Sequence, residues 1–126
     1  MTLAPEDDFS SHPFRYGRVI GIFHVDFIHD TPGAPRAPIS KQVLWVRWLK
    51  YDKSYRAGFQ HRRLHRVHFL PSDHPNAFGF LDPDEVIRGA HLIPAFQHEP
   101  TDEYLEGQSV AREEEELNDW KYFHVN

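Results

Sequence analysis

The segment "KQVLWVRW", Lys41 to Trp48, with Leu49 next to it, constrains the fold more than any other part of this chain. As a strand it is apolar on both faces, with Val43, Trp45 and Leu49 on one side and Leu44, Val46 and Trp48 on the other. Such a strand is either central and covered twice, or it turns an aromatic face toward a partner. Upstream, "RVIGIFHVDFIH" alternates. Its odd positions Val19, Gly21, Phe23, Val25 and Phe27 are apolar, while Arg18, His24 and Asp26 fall among the even ones. The odd face is expected to look inward, so Val19, Phe23, Val25, Trp45, Val67 and Phe69 are expected in one core.

Between these strands "HDTPGAPRAPIS" is rich in Pro and Gly and reads as a long loop over 29–40. A third strand is predicted over "RRLHRVHFL", Arg62 to Leu70, with His65, Val67 and Phe69 on one face and Leu64, Arg66 and His68 on the other. In "LDPDEVIRG" Asp82 can cap a helix, Pro83 suits its first position, and Glu85 stands where a capping-box acid reaches back. That short helix is expected to close at Arg88 and Gly89. "HLIPAF" resumes as a short strand whose Pro94 belongs at an edge or a bulge. "SVAREEEELNDW" is expected to be helical and "WKYFHV" to be a last strand. Five short strands, one long loop and little helix make the chain mainly β. The expected architecture is a small, strongly bent SH3-like (BAH-like) barrel, with an OB-type barrel as the alternative. Residues 1–13 read as a flexible tail and 14–126 as a single domain, with the Pro-rich loop at 29–40 and an acidic segment at 99–119.

Composition narrows the function classes. Cys is absent, so no thiolate nucleophile, disulfide framework or Cys-based metal site exists. No apolar run is long enough to cross a bilayer and the first residues have no apolar leader, so a soluble, intracellular protein with no membrane partner is expected. The net charge of -5 argues against binding nucleic acid over the whole surface. The charge is unevenly placed, however. Arg56 to His68 contains Arg56, Arg62, Arg63 and Arg66 and no acid, whereas Glu99 to Asp119 is acidic with Arg112 as its only base.

His61, His65 and His68 would line one face of a helix and could hold a divalent ion there. On a strand they scatter over both faces, and no glutamate stands where a metalloprotease needs its general base. Neither a metal nor another cofactor is expected. Asp82, Asp84 and Glu85 are the densest carboxylates near apolar sequence, but a helix start already gives them a structural task. No phosphate-cradling glycine loop, nucleophile elbow or dinucleotide fingerprint occurs, so no catalytic residue is assigned and an enzyme is not expected. Trp45, Trp48, Tyr51, Tyr55 and Phe59 could surround a methylated lysine, although such clusters are more often core. The remaining candidate is a binding surface built from Trp48, Lys50, Arg56, Arg62, Arg63 and Arg66. The basic stretch reads either as a solvated strand face or as a surface for an acidic partner, nucleic acid first among them, with the Glu113 to Glu116 run competing for it.

"YGRVIGIFHVDF", "VLWVRWL", "RLHRVHF", "AFGFLDPDEVIRGAHLIPAF" and "DWKYFHVN" together resemble a segment near the end of large proteins encoded by basidiomycete transposons of the Plavaka type. More distantly the chain is similar to the domain of unknown function that accompanies transposases of plant CACTA elements. The shared positions are Tyr16, Gly17, Trp45, Trp48, Val67, Phe69, Trp120, Tyr122 and Val125. The fungal proteins continue past the position of Asn126, so the chain is expected as an isolated domain or a relic. The resemblance implies a non-catalytic accessory module of a nuclear, transposon-derived protein, with nucleic acid, chromatin or a transposase-type protein as partner. It carries no transposase catalytic acids. The alternative from another class is a small metallo-hydrolase using the histidines.

Overall fold

The computed structural model describes residues 1–4, 12–33 and 35–126. The chain is mainly β, as expected. Its strands are β1 (Thr2–Leu3), β2 (Phe14–Ile28), β3 (Pro38–Tyr51), β4 (His65–Phe69), β5 (Phe78–Leu81), β6 (Leu92–Pro94), β7 (Pro100–Thr101), β8 (Asp119–Trp120) and β9 (Phe123–Val125). Seven of them form one antiparallel sheet in the order β1-β2-β3-β4-β9-β6, with β5 also paired to β3; β7 and β8 form a separate pair. Among the described residues the sheet ends at β1 and β6 and is not closed.

The doubly apolar β3 is covered twice, as its sequence requires. Its proximal residues Val46, Arg47, Trp48 and Leu49 are all buried. On one face Leu49 joins Tyr16, Val67, Phe69, Phe123 and Val125 in a core that crosses β2, β3, β4 and β9. On the other, Val46 and Trp48 pack with Leu70 and Ala77. Trp48 fits between two glycines: a Cβ on Gly79 would lie 2.8 Å from its Nε1, and one on Gly17 3.0 Å from its Cε3. The Arg15 guanidinium covers the ring at 3.8 Å.

The expected core is corrected at four positions: Val19, Phe23 and Val25 are 48%, 44% and 42% exposed, and half-buried Trp45 packs on Phe23 and Phe78, outside the core of Val67 and Phe69. For Val19 the cause is a register shift between Val19 and Gly21, which leaves Ile20 as an extra residue; Phe23 and Val25 keep the face of Trp45 and Leu49 but lie beyond the segments that cover it. Before this bulge the even positions Tyr16 and Arg18 pair with Leu49 and Arg47; after it the odd positions Gly21 and Phe23 pair with Trp45 and Val43. One inserted residue exchanges the two faces of a strand. Beyond it, past the last β5 partner at Leu44, β2 and β3 run on as a two-stranded arm, 23–28 against 38–43.

Other boundaries also move. The loop of 29–40 is shorter, since β3 begins at Pro38, and Ala34 lies outside the described residues. The third strand starts at His65, and Arg62 belongs to the turn before it. Asp82, Pro83 and Glu85 form the expected capping box, but on a single 3-10 turn that ends at Val86. Pro94 lies in β6 at the sheet's edge. Of the segment read as a tail, Thr2–Leu3 pair with β2 and Thr2 is buried, while residues 5–11 lie outside the described residues.

The acidic segment is not helical. It wraps instead around Arg112, whose guanidinium donates to the carbonyls of Gly107 and Leu117 and to Asp119. Consecutive like charges at Glu113 to Glu116 also oppose a helix. Asp119 accepts two parallel hydrogen bonds from Arg47, each 2.9 Å, with both side chains out of solvent. Burial alone would raise the pKa of Asp119, but the hydrogen bonds from Arg47 and Arg112 outweigh it and hold the carboxyl below its ordinary value.

Two outcomes follow. Asp119→Asn leaves two buried guanidinium groups without a counter-charge and should destabilise the fold by about 3–5 kcal/mol in urea unfolding. Because the native pKa of Asp119 is lowered, its contribution is complete above the unfolded value near 4 and is lost as pH falls through the native value. The variant should therefore lose less stability than the wild type in that acid range. Gly79→Ala pushes a methyl group into the Trp48 ring and should cost about 1–3 kcal/mol, read by the same method.

Candidate nucleic-acid interface

After β3 the chain leaves the sheet and returns to it at β4. The base of this excursion is held by Asp52, which accepts from the Ser54 N–H at 2.9 Å and from Arg66 Nε at 2.8 Å. Arg66 lies between Tyr55 and Tyr122, its guanidinium carbon 4.2 and 4.3 Å from the two ring centres, and its Nη1 is 3.1 Å from His98 Nε2. The Arg66–Asp52 pair is largely out of solvent. Burial would raise the pKa of Asp52, but hydrogen bonds from Ser54 and Arg66 lower it overall.

The excursion folds back on itself at Gly58 and Arg63. Gly58 N–H donates to Arg63 O at 2.8 Å, and the residues between them form one 3-10 turn, Phe59–His61. Gly58 has φ +98 and Arg62 sits in the left-handed region at φ 50. A side chain at Gly58 would be strained. The turn thrusts Phe59 fully into solvent, with a relative exposure of 103%. Gln60, His61, Arg62 and Arg63 beside it are exposed too, as are Lys53 and Arg56. Among the described residues none of Lys53, Arg56, Arg62 or Arg63 takes part in a salt bridge.

The six residues expected to bind are thus divided. Arg56, Arg62 and Arg63 share the tip region, with Arg63 5.8 Å from the Tyr55 ring. Lys50 is exposed on β3 opposite His68. Arg66 is occupied by Asp52 and the two tyrosines. Trp48 is buried on the far side of β3, where it forms part of the wall of a cleft of about 190 Å³ with Arg15, Val46, Leu81 and Arg88. Phe59 completes the tip, and Lys53 lies at the base of the excursion beside Asp52; in the sequence Phe59 stands inside the acid-free run and Lys53 just before it.

The other candidates disperse. Tyr51 packs against His12 and His65, Tyr55 against Arg66, and Phe59 touches neither, so the five aromatics do not build one cage. His61 is at the tip, His65 faces inward beside His12, and His68 stacks on Tyr104. Among the described residues no three His, Asp or Glu side chains converge as metal ligands. The acidic run does not meet the basic strand in any salt bridge among the described residues; its electrostatic influence falls on Arg18. Burial lowers the pKa of Arg18, while Asp119, Glu116 and Glu113 pull it back.

The half-buried histidines make the fold sensitive to mild acid. Burial first, then the nearby His65, holds His12 below its ordinary value, and its Nδ1 accepts from the Phe14 N–H and lies 2.6 Å from the Tyr51 hydroxyl. Burial and Arg66 do the same to His124. Histidines whose native pKa is lowered favour the fold fully above the unfolded value near 6.5 and oppose it as pH falls through the native values. The melting temperature should fall between about pH 7 and 5, and His124→Gln should flatten that slope. Arg66→Ala should destabilise the fold by about 2 kcal/mol, whereas Arg62→Ala should leave unfolding unchanged. No family model, curated protein or solved structure matches this chain.

Proposed function

We propose that this domain is a non-catalytic recognition module that engages nucleic acid through the tip between Lys53 and Arg63. The single observation that carries the reading is Phe59, a fully solvated aromatic ring on a turn flanked by cations that form no salt bridge among the described residues. An exposed ring has no folding role to explain it, and removing it from water favours association. Bases stack on such a ring while neighbouring arginines neutralise the backbone phosphates, a combination that suits unpaired strands and tolerates sequence variation. The resemblance to transposon proteins adds the setting, an accessory module in a nuclear protein that handles DNA or chromatin.

Electrostatics fits a local site on an acidic protein. The net charge of -5 disfavours contact elsewhere, so a small basic projection would set the orientation of the bound strand. Arg66 acts here by holding Tyr55 and the base of the projection, not by touching phosphate. Lys50 stands on the adjacent strand and is assigned a weaker, peripheral phosphate contact.

Fluorescence anisotropy with labelled single-stranded and duplex oligonucleotides tests this. Single strands should bind more tightly than duplex. Phe59→Ala should weaken single-strand binding by about 1–3 kcal/mol, roughly five- to 150-fold, without changing the salt slope. Arg62→Ala with Arg63→Ala should reduce the slope of log K against log salt by about 0.7 per lost phosphate contact. Absence of binding at about 50 mM salt, or binding that ignores all three substitutions, would refute the proposal.

A further inference from the structure

The arm presents a second feature, independent of the tip. Ile22 and the arm's first strand together read Ile22-Phe23-His24-Val25-Asp26-Phe27-Ile28, a sequence that is nearly the same in both directions about Val25. Among the described residues the outer edge of β2 is paired only at Phe14 and Arg15, so this stretch carries unpaired backbone groups along one side. Ile22, Phe23, Val25 and Ile28 are 66%, 44%, 42% and 57% exposed. His24 and Asp26 are exposed as well, and neither forms a side-chain hydrogen bond or salt bridge among the described residues.

Bare strand edges template further pairing, and proteins usually protect them with proline, lysine or a bulge. The arm's other edge has that protection: Pro38 and Lys41 stand on β3. The only bulge in β2 comes before the arm, and from Ile22 to Ile28 the strand has neither Pro nor Lys. A two-stranded ribbon is also marginal in water without a further strand or a packed face. The unprotected edge is therefore the one arranged for a partner strand.

We propose that β2 from Ile22 to Ile28 pairs antiparallel with the same segment of a second copy of this chain, in a register centred on Val25. In this register Val25 faces its own mate, Phe23 faces Phe27, Ile22 faces Ile28, and His24 faces Asp26. Directly opposed residues share a face of the sheet. The two aromatic pairs and the valines consequently lie on one side of the new four-stranded ribbon, next to Trp45 and Phe80, while the isoleucines and the two donor–acceptor pairs lie on the other. A two-fold axis through Val25 closes the assembly at two copies. No neighbouring register matches apolar with apolar and His24 with Asp26 at once. A one-residue shift sets Phe against Ile or His, and a two-residue shift sets His24 against itself or Asp26 against itself.

Sedimentation equilibrium of the full chain, from about 5 to 500 µM, tests the pairing, because seven residues a side form an interface at the small end of the stable range. A monomer–dimer equilibrium is expected. Val25→Lys sets two ammonium groups face to face on the axis and should leave a monomer, with unchanged circular dichroism since position 25 is already solvated. His24→Asp should weaken the dimer at least tenfold, and adding Asp26→His should restore it by re-forming the opposite pair. The chain has no cysteine, so disulfide trapping gives a clean readout. Oxidised Val25→Cys should crosslink to its mate, whereas Ile28→Cys should do so only when mixed with Ile22→Cys. A wild type that stays monomeric at about 500 µM, higher oligomers, a dimer indifferent to Val25→Lys, or equal self-crosslinking at positions 25 and 28 would each overturn the proposal.

Discussion

The hydrogen-bonded pair between Arg47 and Asp119 joins parts of the chain that no strand pairing connects. Arg47 lies in the middle of β3, and Asp119 comes 72 residues later, at the end of the acidic segment. Because Asp119 also accepts from Arg112, around which that segment is wound, one carboxylate ties the covering segment to the central strand. Three arginines, Arg18, Arg47 and Arg112, approach this single acid, and Arg47 Nε has no hydrogen-bond partner. The aromatic core absorbs part of the imbalance, since the Arg47 guanidinium lies 3.9 Å from the Phe69 ring centre and Arg18 lies 5.0 Å from it. Exposed Glu113 and Glu116 supply further negative potential toward Arg18. The acidic run is thereby part of the fold's internal charge balance, and among the described residues it forms no salt bridge with the basic tip.

A similar division governs the arginines of the basic stretch. Arg66 has both an acid and two ring faces to hold it, so it becomes the post from which the excursion hangs. Arg62 and Arg63 lie on a turn whose backbone is closed by Gly58, and among the described residues neither forms a salt bridge. Rigid support below and exposed charge above is a useful arrangement for a binding projection, because little conformational entropy is lost when the ligand arrives.

What the sequence made legible follows the same physics. The two apolar faces of β3 announced a doubly covered strand, Pro94 announced an edge, and the Asp82 capping box was visible in its letters. Arg47 within that apolar strand was passed over in reading the letters, and the acid that pairs with it, 72 residues away, could not have been read from its position. The bulge was harder still. Gly21 in an otherwise β-branched and aromatic run is the kind of residue that marks one, but the alternation continued through it, and a single extra residue moved Val19 to the other face. Exposure of Phe23, Val25 and Phe59 depends on where covering segments end, which is a property of the whole chain. The near-symmetry around Val25 was present in the letters, yet it acquires meaning only once that edge is bare.

The arm and the tip bear on each other through geometry. Antiparallel pairing about Val25 would place the two domain bodies at opposite ends of a ribbon, with a paired stretch about 24 Å long between them at roughly 3.4 Å per residue. The two tips would then be separate, one for each body, and would not merge into a continuous basic surface. A short oligonucleotide could occupy only one of them. A strand long enough to reach both would convert the second contact into an intramolecular one and gain affinity without any new contact type. Each tip by itself offers one ring and a few cations, which is a weak site. If the tip binds nucleic acid as proposed, pairing through the arm would let a domain of this size, with an acidic surface overall, make such a weak site sufficient.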